Sequence, residues 1–177
     1  MKSWLTLALL GTLALFAQGV AATWVPARYL PDLGLLLVVA AAIGLRSSTA
    51  GLLFAALLGY ATDCLSGSLL GQHMLLAVAA YGAARVAARR LNLRGPLPQA
   101  VFVTFLAAAH AAALGLLVAF VSPLVASRIG VTDALVHALC CGVAAPFVTD
   151  AVVRLLGRLG EDEGQRPLRL APRALAR

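Results

Sequence analysis

Residues Thr49 to Ala84 read TAGLLFAALLGYATDCLSGSLLGQHMLLAVAAYGAA, two apolar runs on either side of a short polar interruption. The Ser66-Gly67-Ser68 triplet and Gly71 are turn signals, so the runs form two neighbouring helices, 49–64 and 69–84, that enter and leave an apolar medium. An unpaired carboxylate in hydrocarbon is expensive, so Asp63 must face a partner, a wet cavity or the membrane surface.

The same pattern extends in both directions. The chain has 177 residues, 62% of them hydrophobic, and no stretch long enough for a separate soluble domain. With a mean hydropathy of +0.94, it reads as an all-α integral membrane protein. Six apolar segments can be drawn, 4–22, 33–45, 49–64, 69–84, 99–121 and 132–156, giving a six-span helical bundle over 1–157. The thirteen residues from Leu33 to Leu45 cover only about 20 Å of a roughly 30 Å hydrocarbon core. The second and third spans are therefore short, either tilted with snorkelling ends or a partly re-entrant hairpin. The run from Trp4 to Ala22 imitates a secretory signal but can also span a bilayer alone, and it is read as a span.

The net charge of +7 arises from 14 Lys+Arg against 7 Asp+Glu, with the basic residues in short loops and a tail. That distribution orients a membrane protein and does not point to nucleic acid. With the N-terminus in the cytoplasm, Lys2, Arg46, Arg85, Arg89, Arg90, Arg94, Arg154, Arg158, Arg166, Arg169, Arg173 and Arg177 fall inside, and Arg28 and Arg128 outside. Both termini are accordingly expected in the cytoplasm, with 158–177 a basic, disordered tail able to lie on anionic lipids. Pro26 and Pro31, the RGPLP segment and Pro123 mark turns, while Trp24 and Tyr29 suit an interfacial belt.

Small residues recur every four positions along the third span, Gly51, Ala55 and Gly59, and reappear with Gly142 in the sixth; such rows let helix backbones approach closely in lipid. Gly71 joins this packing set. Asp63 ends an outward-running helix, where the macrodipole opposes negative charge. Two sources of stabilisation stand: the Ser66 and Ser68 hydroxyls with the amides of the SGSLLG turn, or hydrogen bonds from another subunit or a solute. Asp63, Ser66, Ser68, Gln72 and His73 are the candidate partner-binding residues. Asp150 has a nearer answer, since Arg154 follows at i+4 in the favourable acid-first order.

No catalytic, metal or cofactor site is expected. Asp63 and Asp150 lie at different membrane depths, which argues against an aspartic-protease pair sharing a proton. His137, Cys140 and Cys141 fall near one helical turn but lack a second ligand pair, so a metal site is not assigned. His110 stands in an alanine-rich face, where a packed neutral imidazole is expected. Ser66-Gly67 lacks the context of an intramembrane serine site, and Lys2, the sole lysine, excludes a Ser-Lys dyad within the bundle. The cysteines imply no disulfide framework.

From Pro31 to about Arg90 the residues resemble the core of the bacterial rod shape-determining protein MreD family: a Pro-Asp opening, an apolar run ending at Arg46, a helix with Gly51 and Gly59, then Asp63, Ser66, Gly67, Gly71 and His73. Leu69 stands where the resemblance leads one to expect a proline, implying a less rigid turn. The resemblance implies a non-enzymatic subunit of the inner-membrane elongation machinery, associated with an MreC-like protein and through it with MreB, RodA and a class B penicillin-binding protein. Bundles of this kind are also similar to the substrate-binding subunits of energy-coupling-factor vitamin transporters, which gives the alternative of a solute-binding membrane subunit.

Overall fold

The structure, a computed structural model, describes residues 2–45, 47–67, 69–91, 93, 95–121 and 130–164, with side chains from 5 to 158. The expectations that rest on Arg46, Ser68, Arg94, Pro123, Arg128 and the chain beyond 164 lie outside the described residues. Among those described, the chain forms six α-helices and a 3₁₀ turn, Ala27–Tyr29, with no strand. The helices are α1 (Lys2–Ala21), α2 (Leu33–Gly44), α3 (Ser48–Ser66), α4 (Gln72–Arg90), α5 (Pro96–Val121) and α6 (Val131–Gly164).

The short second helix is the centre of the molecule. Asp32 starts it as an N-cap, its side chain accepting a hydrogen bond from the Leu35 amide at 3.0 Å. Every residue from Leu35 to Ala42 is buried, so α2 is apolar all round because protein surrounds it. It packs against all five other helices. A 12-residue helix is too short for lipid contact along a full bilayer, but one jacketed by longer helices has no mismatch to relieve.

Around this centre α3 pairs with α4 and α5 with α6, each pair brought close by missing side chains. A Cβ at Gly51 would lie 2.5 Å from Tyr81 Cζ, and one at Gly59 would lie 2.6 Å from the His73 carbonyl oxygen and Met74 Cα. Ala55, between them, is fully buried. Gly142 of α6 meets α5 in the same way, with a Cβ there only 2.9 Å from the Ala100 carbonyl oxygen. Gly71 does not belong to this set: a Cβ there would meet nothing within 4 Å, and the position is set by its backbone, φ +95°. Left-handed backbone favours glycine because it lacks the Cβ that clashes with the following carbonyl.

The outer surface is apolar. Leu9, Leu13 and Phe16 of α1, Phe105, Leu116 and Phe120 of α5, and Leu139, Val143 and Phe147 of α6 are all exposed. A surface of that size and character needs a hydrocarbon solvent. Among the described residues, four segments are long and apolar enough to cross a membrane: Ala27–Gly44, Ser48–Ser66, Pro96–Val121 and Val131–Arg158. Leu5–Ala21 is a shorter apolar helix. Helix α4 is outside that group because Gln72, His73, Arg85, Arg89 and Arg90 dilute its apolar residues.

Helix ends differ from the sequence boundaries where charge and length compete. Helix α4 continues to Arg90, six residues past the expected 84, and α6 continues to Gly164, into the stretch expected to be tail. Apolarity ends at these points, but helix propensity does not; Pro167 is the next residue that cannot continue a helix. Helix α5 begins at Pro96, since proline is favoured at the first helical position.

Candidate functional site

Helices α3 and α4 are joined by a turn that contains the sequence's most costly group. Helix α3 ends on Gly67 in the left-handed region, φ +62°, and α4 begins after Gly71 with no side-chain cap of its own. The cap comes from the preceding helix. Asp63 Oδ2 accepts from the amides of Gly71 at 2.9 Å and Met74 at 3.2 Å, and Oδ1 accepts from the amide of His73 at 2.8 Å. The His73 imidazole adds a fourth bond, Nδ1 to Oδ1 at 2.9 Å.

This arrangement resolves the dipole conflict at Asp63. The carboxylate sits at the C-terminus of α3 but also at the N-terminus of α4, whose exposed amides and dipole favour an anion. Its side chain is 0% exposed. Hydrogen bonds to a charged group contribute about 1.5–3 kcal/mol each, so several bonds from fixed donors can offset the cost of burial. Asp63 therefore ties one helix to the next and sets the turn's shape.

The other expected site residues take different positions around that carboxylate. The Ser66 hydroxyl donates to the Asp63 backbone carbonyl at 3.4 Å, and Ser66 is exposed. Gln72 is buried, its amide bonded to the Leu69 carbonyl at 3.1 Å, and His73 is partly exposed. The outward surface of the turn is instead apolar: Leu65 and Leu70 are each 73% exposed and Leu69 is 49% exposed. The serines drew attention in the sequence because they are polar, whereas the leucines are inconspicuous in so apolar a chain.

Behind the turn lies a cavity of about 40 Å³, lined by Asp32, Thr62, His73 and His110 among apolar residues of α2, α3 and α4. His110 lines this small, mostly apolar recess. Cys141 lies beside Asp32, its sulfur accepting from the Asp32 amide at 3.2 Å and standing 3.6 Å from His137 Nε2. Asp32, His110 and Cys141 come from three helices or their caps, and nothing in their sequence spacing shows that they converge. The cavity suits one or two waters, far below the roughly 300–1,000 Å³ typical of small-molecule sites. No group of three metal-ligating side chains occurs among the described residues.

The opposite end of the bundle is organised by arginine. Arg85 of α4 reaches the C-terminus of α2, its Nη1 donating to the carbonyls of Ala42 at 2.6 Å and Leu45 at 2.8 Å. A cation that satisfies helix-terminal carbonyls complements the negative end of the dipole. Asp150 pairs with Arg154 on exposed α6, one turn apart. Asp63 and Asp150 thus have separate partners. Near the turn end, Arg28 pairs with Asp133 at 3.4 Å and lies 4.8 Å over the Tyr29 ring, an exposed contact of small energetic weight.

Comparison with curated proteins and with solved structures gave no match. The family model for the rod shape-determining protein MreD matches residues 1–148, well beyond the segment from Pro31 to Arg90 that carries the resemblance in the sequence. The matched region takes in α1 to α5 and the first half of α6, with the Asp63 clamp, the leucine-tipped turn and the cavity behind it. The chain, whose described residues are helical with four segments able to cross a bilayer, belongs to the MreD family of rod shape-determining membrane proteins.

Proposed function

We propose that this protein is a non-enzymatic subunit of the cell-elongation machinery in the bacterial inner membrane, and that it scaffolds an MreC-like protein through the turn between α3 and α4. The observation that carries this reading is an apolar tip, Leu65, Leu69 and Leu70, on a turn held rigid from beneath by buried Asp63. Exposed leucines on a pre-formed turn bind with little ordering cost, which is how a small contact gains affinity. In this reading Asp63, Gln72 and His73 shape the surface, while Ser66 belongs to its rim. MreB, RodA and a class B penicillin-binding protein are reached through the MreC-like partner.

The topology that accompanies this function is six spans with both termini cytoplasmic. The arginine bias supports it, as does the way Arg85, Arg89, Arg154 and Arg158 gather at one end of the bundle while Arg28 and Asp133 pair at the other. The turn then faces the periplasm, where an MreC-like ectodomain would meet it. The cavity behind the turn, about 40 Å³, is too small to hold a vitamin.

Affinity purification in mild detergent tests the proposal. The wild-type protein should capture an MreC-like protein, and cells depleted of it should round up. Leu70→Glu should lower capture while leaving the melting temperature unchanged. Equal capture by Leu70→Glu and Leu65→Glu variants would remove the turn from the interface.

A further inference from the structure

We propose that the recess behind the turn between α3 and α4 is a water site, and that His110 fastens α5 to the rest of the bundle through the water bound there. The recess, about 40 Å³, has room for one or two water molecules. Its walls are mostly apolar, but four polar side chains line it and each comes from a different helix: Asp32 from the cap of α2, Thr62 from α3, His73 from α4 and His110 from α5. A buried water needs about two to four such partners, whereas a purely apolar cavity stays dry.

Asp32 is fixed from two sides, its amide donating to Cys141 Sγ at 3.2 Å and its Oδ1 accepting from the Leu35 amide at 3.0 Å. The Thr62 hydroxyl donates to the Leu58 carbonyl at 2.9 Å, which leaves its oxygen able to accept, and His73 is held through Nδ1 by Asp63. The half-buried imidazole of His110 differs, since it makes no hydrogen bond to the described residues. A neutral imidazole carries one donor and one acceptor whichever nitrogen holds the proton. Water, which both donates and accepts, is the group that joins the His110 N–H to the fixed acceptors on Asp32 and Thr62.

The bridge falls where packing is thin. Helix α5 packs chiefly against α6, and among the described residues its backbone makes no close approach to α3. Thr62 and His110 nevertheless line the same recess. A water-mediated hydrogen bond is nearly as favourable in enthalpy as a direct one, so it ties across this gap what direct packing ties elsewhere. Residues that share no partner affect stability additively, and those joined through one network do not. Coupling between Thr62 and His110 is therefore the signature of the bridge.

Hydroxyl-radical footprinting of the full chain in detergent, with isotopically labelled water mixed in before irradiation, tests the site. In the wild type His110 and the buried, recess-lining Leu58 should take up oxygen from a water that exchanges more slowly than bulk, so the isotope reaches them later than it reaches exposed Tyr29. Thermal unfolding tests the bridge. His110→Leu and Thr62→Val should each lower the melting temperature by roughly 2–4 °C, and the double variant by no more than the larger single loss. His110→Gln, which keeps a donor and an acceptor, should recover part of the loss. Thr12→Val, which removes a hydroxyl with the same bond to a preceding carbonyl on exposed α1, should add its effect to that of His110→Leu in full. Uptake at the bulk rate, additive losses at Thr62 and His110, or no recovery in His110→Gln would each overturn the proposal. So would a melting temperature raised by sodium over choline in the wild type and not in Asp32→Asn, which would assign the recess to a cation. The footprinting needs only the wild type and decides the matter where a variant fails to fold.

Discussion

Asp63 is one carboxylate shared between two helix ends, and its energetic role follows from counting what it satisfies. Removing it leaves the amides of Gly71, His73 and Met74 without their acceptor on the inner, partly buried side of the turn. Asp63→Ala should cost roughly 3–5 kcal/mol, the cost of breaking a buried charged network. For a chain of this size that lowers the melting temperature in detergent by roughly 6 °C or more. Asp63→Asn should fall between wild type and alanine, because its amide oxygen still accepts while its NH₂ group faces donors. Differential scanning fluorimetry of the three proteins checks the order, and an alanine variant as stable as wild type would contradict the clamp. The sequence showed that this acid needed partners and pointed to the turn amides. It did not show the His73 imidazole, because a side chain ten residues away meets Asp63 only once the turn has its two left-handed glycines.

At the scale of elements, packing is set by where side chains are missing and where helix ends are closed. Gly59→Ala places a methyl group 2.6 Å from the backbone of α4, so the two helices must separate. A loss of about 1–3 kcal/mol is expected. Gly115→Ala, on α5 with open space around it, should be neutral or slightly stabilising. Thermal unfolding of both variants separates a packing glycine from an idle one. Arg85→Gln should also destabilise, by about 1–3 kcal/mol, because two carbonyls at the end of α2 lose a charged donor. The glycine row of α3 was legible as a period of four, whereas the cap on α2 was not. Arg85 reads in sequence as one more orienting charge, and its second task depends on α4 crossing the end of α2, a tertiary fact that no local pattern encodes.

The whole molecule is a buried short helix wrapped by longer ones, with a polar network at each end. The helical class and the order of the helices among the described residues were readable because apolar runs and turn residues agree at the breaks. Helix ends at Arg90 and Gly164 were not, since hydropathy falls before helical hydrogen bonding does. The leucines of the turn were passed over for a related reason: in an apolar chain polar residues attract notice, yet Leu65 and Leu70 are each 73% exposed. On the proposed reading the leucine-tipped end of the bundle is the one that meets a protein partner. The most direct test is site-specific photocrosslinking in living cells, with the probe at Leu70 and, as a control, at the lipid-facing Phe105. The account predicts an adduct with an MreC-like protein from Leu70 and none from Phe105. No such adduct from Leu65, Leu69 or Leu70, in a protein that still sustains rod shape, would contradict it.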